Sequence, residues 1–540
     1  MITAVRLFIT GIALSLVALA PISARRAVDL EAATIGELSA AIRAGTLTSE
    51  RLTELYLARI TAYDRRGPHL NAMIALNPRA RDTARALDAE RKSQGVRSPL
   101  HGIPIVLKDN IDTADMPTTG GSVLLEGSIP ADDAFIVKKL RDAGAVILGK
   151  ANLSEFASGG AFSSLGGQSL NPHDLARSPS GSSGGTGVAI AAAYAVVGLG
   201  TDTGGSVRGP SAANGIVGLK PTHGLLSRDG IIPLALAFDT AGPMARSVYD
   251  VAAVLGVMTG VDQSDEATRK SQGRFETDYT KFLKADALKG ARIGVARDFF
   301  GQDADVDWVM ESALGAMRRG GATLVDVRYP KWLLDAKDEF YNAIRRPEFT
   351  VQIAQYLSTL GPKYPKTLAQ LIERAEEFTA PRGETGPNPS RWSLFKREIE
   401  SGTMEDYRYT SVRDHALPLV RAAVDGMLTA QKLDAIVYPT ASRRPGLIAD
   451  PGVAAAATPS ALLGAMGLGA TNIANLTGFP DLIVPAGFTG DRLPVAVSFL
   501  GTAFSEARLL ALGYSFEQLT RARRLPRHTP ALTGETINTP

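Results

Sequence analysis

The sequence predicts an α/β fold, a sheet covered by helices on both faces. Short apolar runs bounded by turn residues recur along the chain, at 103–107, 145–148, 293–296, 323–327, 435–438, 482–485 and 495–500. Segments of helical periodicity separate them. Continuous apolar runs, rather than alternating ones, are what strands buried on both faces require. The 540 residues are 45% hydrophobic and 21% charged, which allows a large core.

Taken in order, residues 1–24 read as a secretory signal peptide. Arg6 is the one early charge, residues 7–20 form an apolar run, and small residues follow at Ala18, Ala20, Ser23 and Ala24. Pro21 disfavours cleavage after Ala20, so Ala24 is the expected site. The run is too short for a comfortable membrane span, and an exported protein, periplasmic or secreted, is expected, with an uncleaved N-terminal anchor as the alternative. The absence of cysteine suits an oxidising compartment. It also excludes a disulfide framework, a cysteine nucleophile and cysteine metal sites.

Residues 25–540 read as a single domain. Thr34 and Glu37 form a capping box for a helix with Leu38 and Ile42 on one face and Gly45 as its stop. A second helix starts near Thr48 or Ser49, carrying Leu52, Leu55, Tyr56 and Ile60. The run at 103–107 ends at Lys108. Asp132 or Asp133 is the expected cap of a helix through Arg141, with Gly144 ending it before a strand at 145–148. An alanine-rich helix is expected over 188–197 and a buried run at 216–219. Residues 331–430 are mainly helical with a Pro/Gly-rich break at 380–390. They read as a variable insertion able to shape a substrate entrance, or as plain helical packing. The tail after Arg524 is rich in Pro, Thr and Gly and is expected to be poorly ordered.

The net charge of +3 is small, and the only basic cluster is Arg521, Arg523 and Arg524, so no nucleic-acid partner is expected. The six histidines are scattered without an H-E-x-x-H motif, and neither a metal nor another cofactor is expected.

The chemistry concentrates in two Ser/Gly-rich segments, 178–185 and 200–208. Each lies between apolar segments, where a flexible linker does not belong. Glycines there permit unusual torsions, and successive N–H groups can converge on one oxygen. A serine hydroxyl needs a base. Lysine serves only when neutral, and burial favours that form. Lys108, following an apolar strand, is the candidate, although Asp109 would oppose the shift if it pointed inward. Three other motifs fail. Residues 181–185 fit G-x-S-x-G, with Ser183 as nucleophile and His223 or His415 as base, but the required preceding strand is missing. Residues 144–150 approach a phosphate-binding loop, but Ala151 replaces Ser/Thr. Ser393 and Lys396 match S-x-x-K without companion motifs.

These residues resemble the amidase signature family. Lys108-Asp109-Asn110, Gly181-Ser182-Ser183-Gly184, the 200–206 segment and Gly218-Leu219-Lys220-Pro221-Thr222 carry the likeness, which spans roughly 30–525 outside the variable middle. The resemblance implies the amidase-signature fold, a large mixed sheet with helices on both sides. It implies Ser206 as acyl-forming nucleophile, Lys108 as base, and Ser182 between them after a cis bond from Gly181. The N–H groups of Thr203, Gly204, Gly205 and Ser206 would form the oxyanion hole. The implied reaction is hydrolysis of a carboxamide to acid and ammonia without a cofactor. Residues 65–68, 227–233, 239–244 and 501–506 resemble the peptide-directed branch of the family, which points to C-terminal peptide amides or small acyl amides. Ser180 stands where the family usually has glycine. Gly204, Gly205 and Arg208 follow the general family pattern rather than that branch. Two alternatives remain. The A subunit of the tRNA-dependent glutamine amidotransferase shares these motifs, but works in the cytoplasm with partner subunits. A non-catalytic binding protein on the same scaffold would not need Lys108, Ser182 and Ser206 together.

Overall fold

Eleven strands form one mixed sheet in a computed structural model that describes residues 26–379, 388–448 and 469–539. Residues 1–24, read above as a signal peptide, and most of the 380–390 break lie outside the described residues. In chain order the strands are β1 (Arg26–Asp29), β2 (Met73–Leu76), β3 (Pro104–Lys108), β4 (Val146–Ala151), β5 (Phe162–Ser163), β6 (Gly167–Gln168), β7 (Val197–Asp202) and β8 (Val217–Lys220). They continue with β9 (Thr240–Ala245), β10 (Arg292–Ala296), β11 (Thr323–Val327), β12 (Ala435–Pro439), β13 (Asp481–Phe488), β14 (Pro494–Leu500) and β15 (Thr536–Thr539). The large sheet runs β11-β10-β12-β14-β13-β8-β9-β7-β3-β4-β2. Its β3–β4, β3–β7, β10–β11 and β10–β12 pairs are parallel, and the others antiparallel. Every residue of β3, β4, β7, β8, β9, β12 and β14 is buried, so both faces of the sheet are covered.

The expected helix starts at Thr34 and near Ser49 match the helices Ile35–Arg43 and Ser49–Tyr63, and the Thr34/Glu37 capping box is formed. Elsewhere the structure corrects the boundaries. The helix expected from Asp132 or Asp133 is Phe135–Asp142, with Ala134 at its start and no side-chain cap. Asp133 accepts from the Ala114 N–H and pairs with Arg141 instead. The helix expected over 188–197 is Gly184–Ala191, and Val197 already opens β7. Three glycines hid its first turn, and Gly185 is needed for packing: a Cβ on it would lie 2.3 Å from the Asn152 carbonyl oxygen.

The tail is also corrected. Residues 525–539 return to the N-terminal side, where β15 pairs antiparallel with β1. Arg59, fully buried, donates to Glu31 (2.7 Å), Glu535 (2.6 Å) and the carbonyls of Ala192 and Thr529. A buried guanidinium requires such partners, and Glu535 and Thr529 supply two of them from the tail.

Within 331–430 the main element is one long helix, Lys331–Ser358, followed by Leu368–Thr379, Pro389–Ile399, Tyr407–Ser411 and Leu417–Ala430. Leu333 and Ile344 of the long helix share a core cluster with Phe238, Phe299 and Tyr438. Among the described residues, no helix is long and apolar enough to cross a membrane.

Candidate active site

Strands β3 and β7 are parallel neighbours, with Leu107 opposite Leu199. Lys108 and Thr201 therefore come together where both strands end, the edge at which open α/β sheets hold their ligands. Lys108 is fully buried, and its Nζ donates to Ser182 Oγ and to Thr201 Oγ1, each at 2.7 Å. Thr201 Oγ1 also accepts from Asn110 Nδ2 at 3.0 Å. Burial drives the Lys108 pKa down to about 7, against the opposing pull of the Asp202 and Asp239 carboxylates. Asp109 does not oppose the shift. It accepts from Thr119 Oγ1, from the N–H groups of Thr119 (3.2 Å) and Gly121 (3.3 Å), and faces Lys150 at 3.4 Å.

Ser182 is buried and precedes the Gly184–Ala191 helix, and its bond from Gly181 is cis. Its neighbour Ser183 is structural. Ser183 Oγ donates to the Thr201 carbonyl (3.2 Å) and accepts from the Thr201 N–H (3.3 Å). His223 bonds to the Leu236 carbonyl and His415 is exposed, so neither serves Ser183.

Ser206 lies on the loop that leaves β7. The Ser183 N–H donates to the Ser206 carbonyl at 3.1 Å, tying the two glycine-rich segments together. Gly204 and Ser206 are partly exposed where their neighbours are buried. Among the described residues the Ser206 hydroxyl makes no hydrogen bond. The geometry thus joins Lys108 to Ser182 directly and brings the Ser206 backbone against Ser183.

Asp202 organises this loop. Its carboxylate accepts from the N–H groups of Gly205 (2.9 Å), Val207 (2.9 Å) and Arg208 (3.4 Å). Gly205, whose N–H is expected in the oxyanion hole, has that N–H engaged by Asp202 and supplies the turn at φ +122°, a conformation L residues rarely adopt. Arg208 grips both Asp202 oxygens (3.0 and 3.1 Å) and reaches Asp481 at 2.9 Å, while Asn475 donates to Asp202 at 2.9 Å. Burial alone would raise the Asp202 pKa, but the charge and hydrogen bonds of Arg208 outweigh it and hold the group well below the carboxylate range. Thr203 Oγ1 donates to Asp239, which also accepts from the N–H groups of Leu234 (2.9 Å) and Ala235 (3.0 Å). Burial raises the Asp239 pKa to about 6. A cavity of about 10 Å³, close to the room one water needs, is lined by Asn110, Thr201, Thr203 and Asp239.

Neither Asp202 nor Arg208 was read as a loop brace from the sequence, although their six-residue spacing across the glycine turn was visible. Asn475 and Asp481 gave no local signal. Among the described residues, no group of three or more His, Cys, Asp or Glu could hold a metal ion.

A covered mixed sheet whose edge holds a buried lysine with its charge suppressed, against serines on glycine-rich loops, fits the enzymes that hydrolyse amide C–N bonds, and comparison with known proteins gives that class. The amidase family model matches residues 51–510, and the chain belongs to the amidase signature family. It is similar to the crystal structure of the peptide amidase from Stenotrophomonas maltophilia, with a TM-score of 0.82 and 40% identity over 92% of this chain and 99% of that one. It is 33% identical to a probable amidase of Arabidopsis thaliana over 92% of each chain. It is also 37% identical to the glutamyl-tRNA(Gln) amidotransferase A subunit of Halorhodospira halophila, over 90% of this chain and 97% of that one.

Proposed function

We propose that this protein hydrolyses carboxamides to acid and ammonia through an acyl-enzyme on Ser206. The observation that carries the reading is the 2.7 Å bond between the buried Lys108 Nζ and Ser182 Oγ. With a pKa near 7, Lys108 holds a usable fraction of neutral amine at neutral pH. Ser182 relays the Ser206 proton to Lys108 as Ser206 Oγ attacks the amide carbonyl. Backbone N–H groups of the 203–206 loop, apart from Gly205, stabilise the oxyanion. The proton passes to the leaving nitrogen and ammonia departs. Water then attacks the ester, releasing the acid and restoring Ser206.

The likeness to a peptide amidase favours C-terminal peptide amides as substrates. The test is ammonia release from an N-blocked peptide amide beside the same peptide as free acid. Ammonia from the amide alone, with internal bonds intact, is expected; no release from peptide or small acyl amides contradicts the reading. The likeness to amidotransferase A subunits favours a second reading, glutamine-dependent transfer with partner subunits, whose signature is activity only after such partners are added. We further propose export with cleavage after Ala24. Recovery of the protein outside the cytoplasm, beginning at Arg25, supports this; a cytoplasmic product that retains Met1 opposes it.

A further inference from the structure

The long helix Lys331–Ser358 turns one stripe of side chains toward the loops around the site. Asp338 accepts from Asn472 Nδ2 (2.6 Å), and Arg345 donates to Ser158 (3.1 Å). Glu348 and Gln352 accept from the N–H groups of Ala237 (3.0 Å) and Leu236 (2.8 Å), and Tyr356 donates to Asp112 (2.8 Å). The steps of three and four residues keep these positions on one helix face. Tyr341 belongs to the same stripe and is the exception. Among the described residues, its hydroxyl has no hydrogen-bond partner.

The position of that hydroxyl is specific. A Cβ added to Gly204 would lie 2.7 Å from Tyr341 Oη, so the phenol closes directly over the loop that carries Ser206. The ring is held in a stack on buried Phe238, with centroids 5.4 Å apart and planes 17° from parallel. Phe238 neighbours Asp239, the carboxylate that holds Thr203. Tyr341 itself is partly exposed, as are Gly204 and Ser206. A fixed ring thus presents its hydroxyl beside the partly exposed edge of the nucleophile loop, at low conformational cost. The surroundings, chiefly by burial, raise the phenol pKa and keep it protonated. The hydroxyl approaches Gly204 from the side-chain direction.

We propose that Tyr341 is a substrate-binding residue that donates a hydrogen bond to an acyl-side carbonyl next to the scissile amide. It thereby selects amides that carry a second amide carbonyl, as peptide amides do, over simple monoamides. The inference rests on the amidase reading above and names its substrate class.

The experiment compares wild type and Tyr341→Phe on an N-blocked dipeptide amide and on 3-phenylpropanamide, which lacks the second carbonyl. Wild type is expected to favour the dipeptide amide. Tyr341→Phe is expected to lower kcat/KM for that substrate roughly tenfold, mostly through KM, the scale of one lost hydrogen bond. Its kcat/KM for 3-phenylpropanamide and its urea midpoint are expected to stay unchanged. Equal losses on both substrates, no loss on the dipeptide amide, a wild-type preference for the monoamide, or a shifted urea midpoint each overturn the proposal while the amidase reading stands. A wild type that releases ammonia from neither substrate overturns the amidase reading, and this inference with it.

Discussion

Replacing Lys108 with methionine keeps most of the side-chain volume and removes the titrating amine. In the folded protein Lys108 titrates near 7, against 10.5 for an ordinary lysine. The unfolded chain therefore binds more protons than the folded one between those values, and stability from this group rises with pH across that window. Below pH 7 the full penalty of the shift, about 5 kcal/mol at 1.36 kcal/mol per unit, weighs on the wild type. Between pH 7 and pH 9 the wild type recovers about 2 kcal/mol of it. The variant also strands the Ser182 hydroxyl that Lys108 now satisfies, at a cost of about 1–3 kcal/mol, while Thr201 Oγ1 keeps its bond from Asn110. That cost does not vary with pH, so the pH dependence isolates the charge. Urea unfolding of both proteins at pH 7 and pH 9 should show the wild type gaining about 2 kcal/mol relative to Lys108→Met. In parallel, wild-type kcat/KM should rise through a midpoint near 7, and the variant should lose at least about a hundredfold. A stability difference that stays constant from pH 7 to pH 9 would mean that Lys108 remains charged in the folded protein. The base assignment would then fail.

Other perturbations separate the parts of the site. Ser182→Ala should lower kcat by about a hundredfold with folding intact, because Lys108 loses the hydroxyl that it bonds and that is proposed to relay the Ser206 proton; full activity with an unchanged pH profile would exclude a relay. Arg208→Met strands the buried Asp202 and Asp481 carboxylates, and should cost about 3–5 kcal/mol in urea unfolding. A wild-type midpoint would show that the brace is dispensable. Truncation after Arg524 removes β15 and three acceptors of the buried Arg59, and should lower the thermal midpoint clearly; an unchanged midpoint would contradict the structural role of the tail.

Much of the sheet was legible because buried strands announce themselves as apolar runs. β3 is the useful case, since its last residue is Lys108 and the burial of that lysine follows from the strand before it. The strand β9, Thr-Ala-Gly-Pro-Met-Ala, escaped notice because glycine and proline weaken the pattern, although pairing on both sides fixes it in the sheet. The tail was misread for a related reason: composition reports what a segment prefers alone, whereas Glu535 and β15 are held by Arg59 and β1. At the site, local motifs pointed to Lys108, Ser182 and Ser206. The ties from Arg208 to Asp481 and from Asn475 to Asp202 each span 273 residues, and no local pattern encodes them. The demand of Asp202 on the Gly205 N–H was also invisible, because a glycine-rich segment does not reveal which N–H groups serve the loop and which remain for a ligand.

The central claim is that Ser206 carries the acyl group. It is tested most directly by treating the purified protein with a serine-directed phosphonate and locating the adduct by peptide mass mapping. One adduct on Ser206, absent in Ser206→Ala and accompanied by loss of amide hydrolysis, is the expected result. An adduct on Ser182 or Ser183, or amide hydrolysis that persists in Ser206→Ala, would contradict the account.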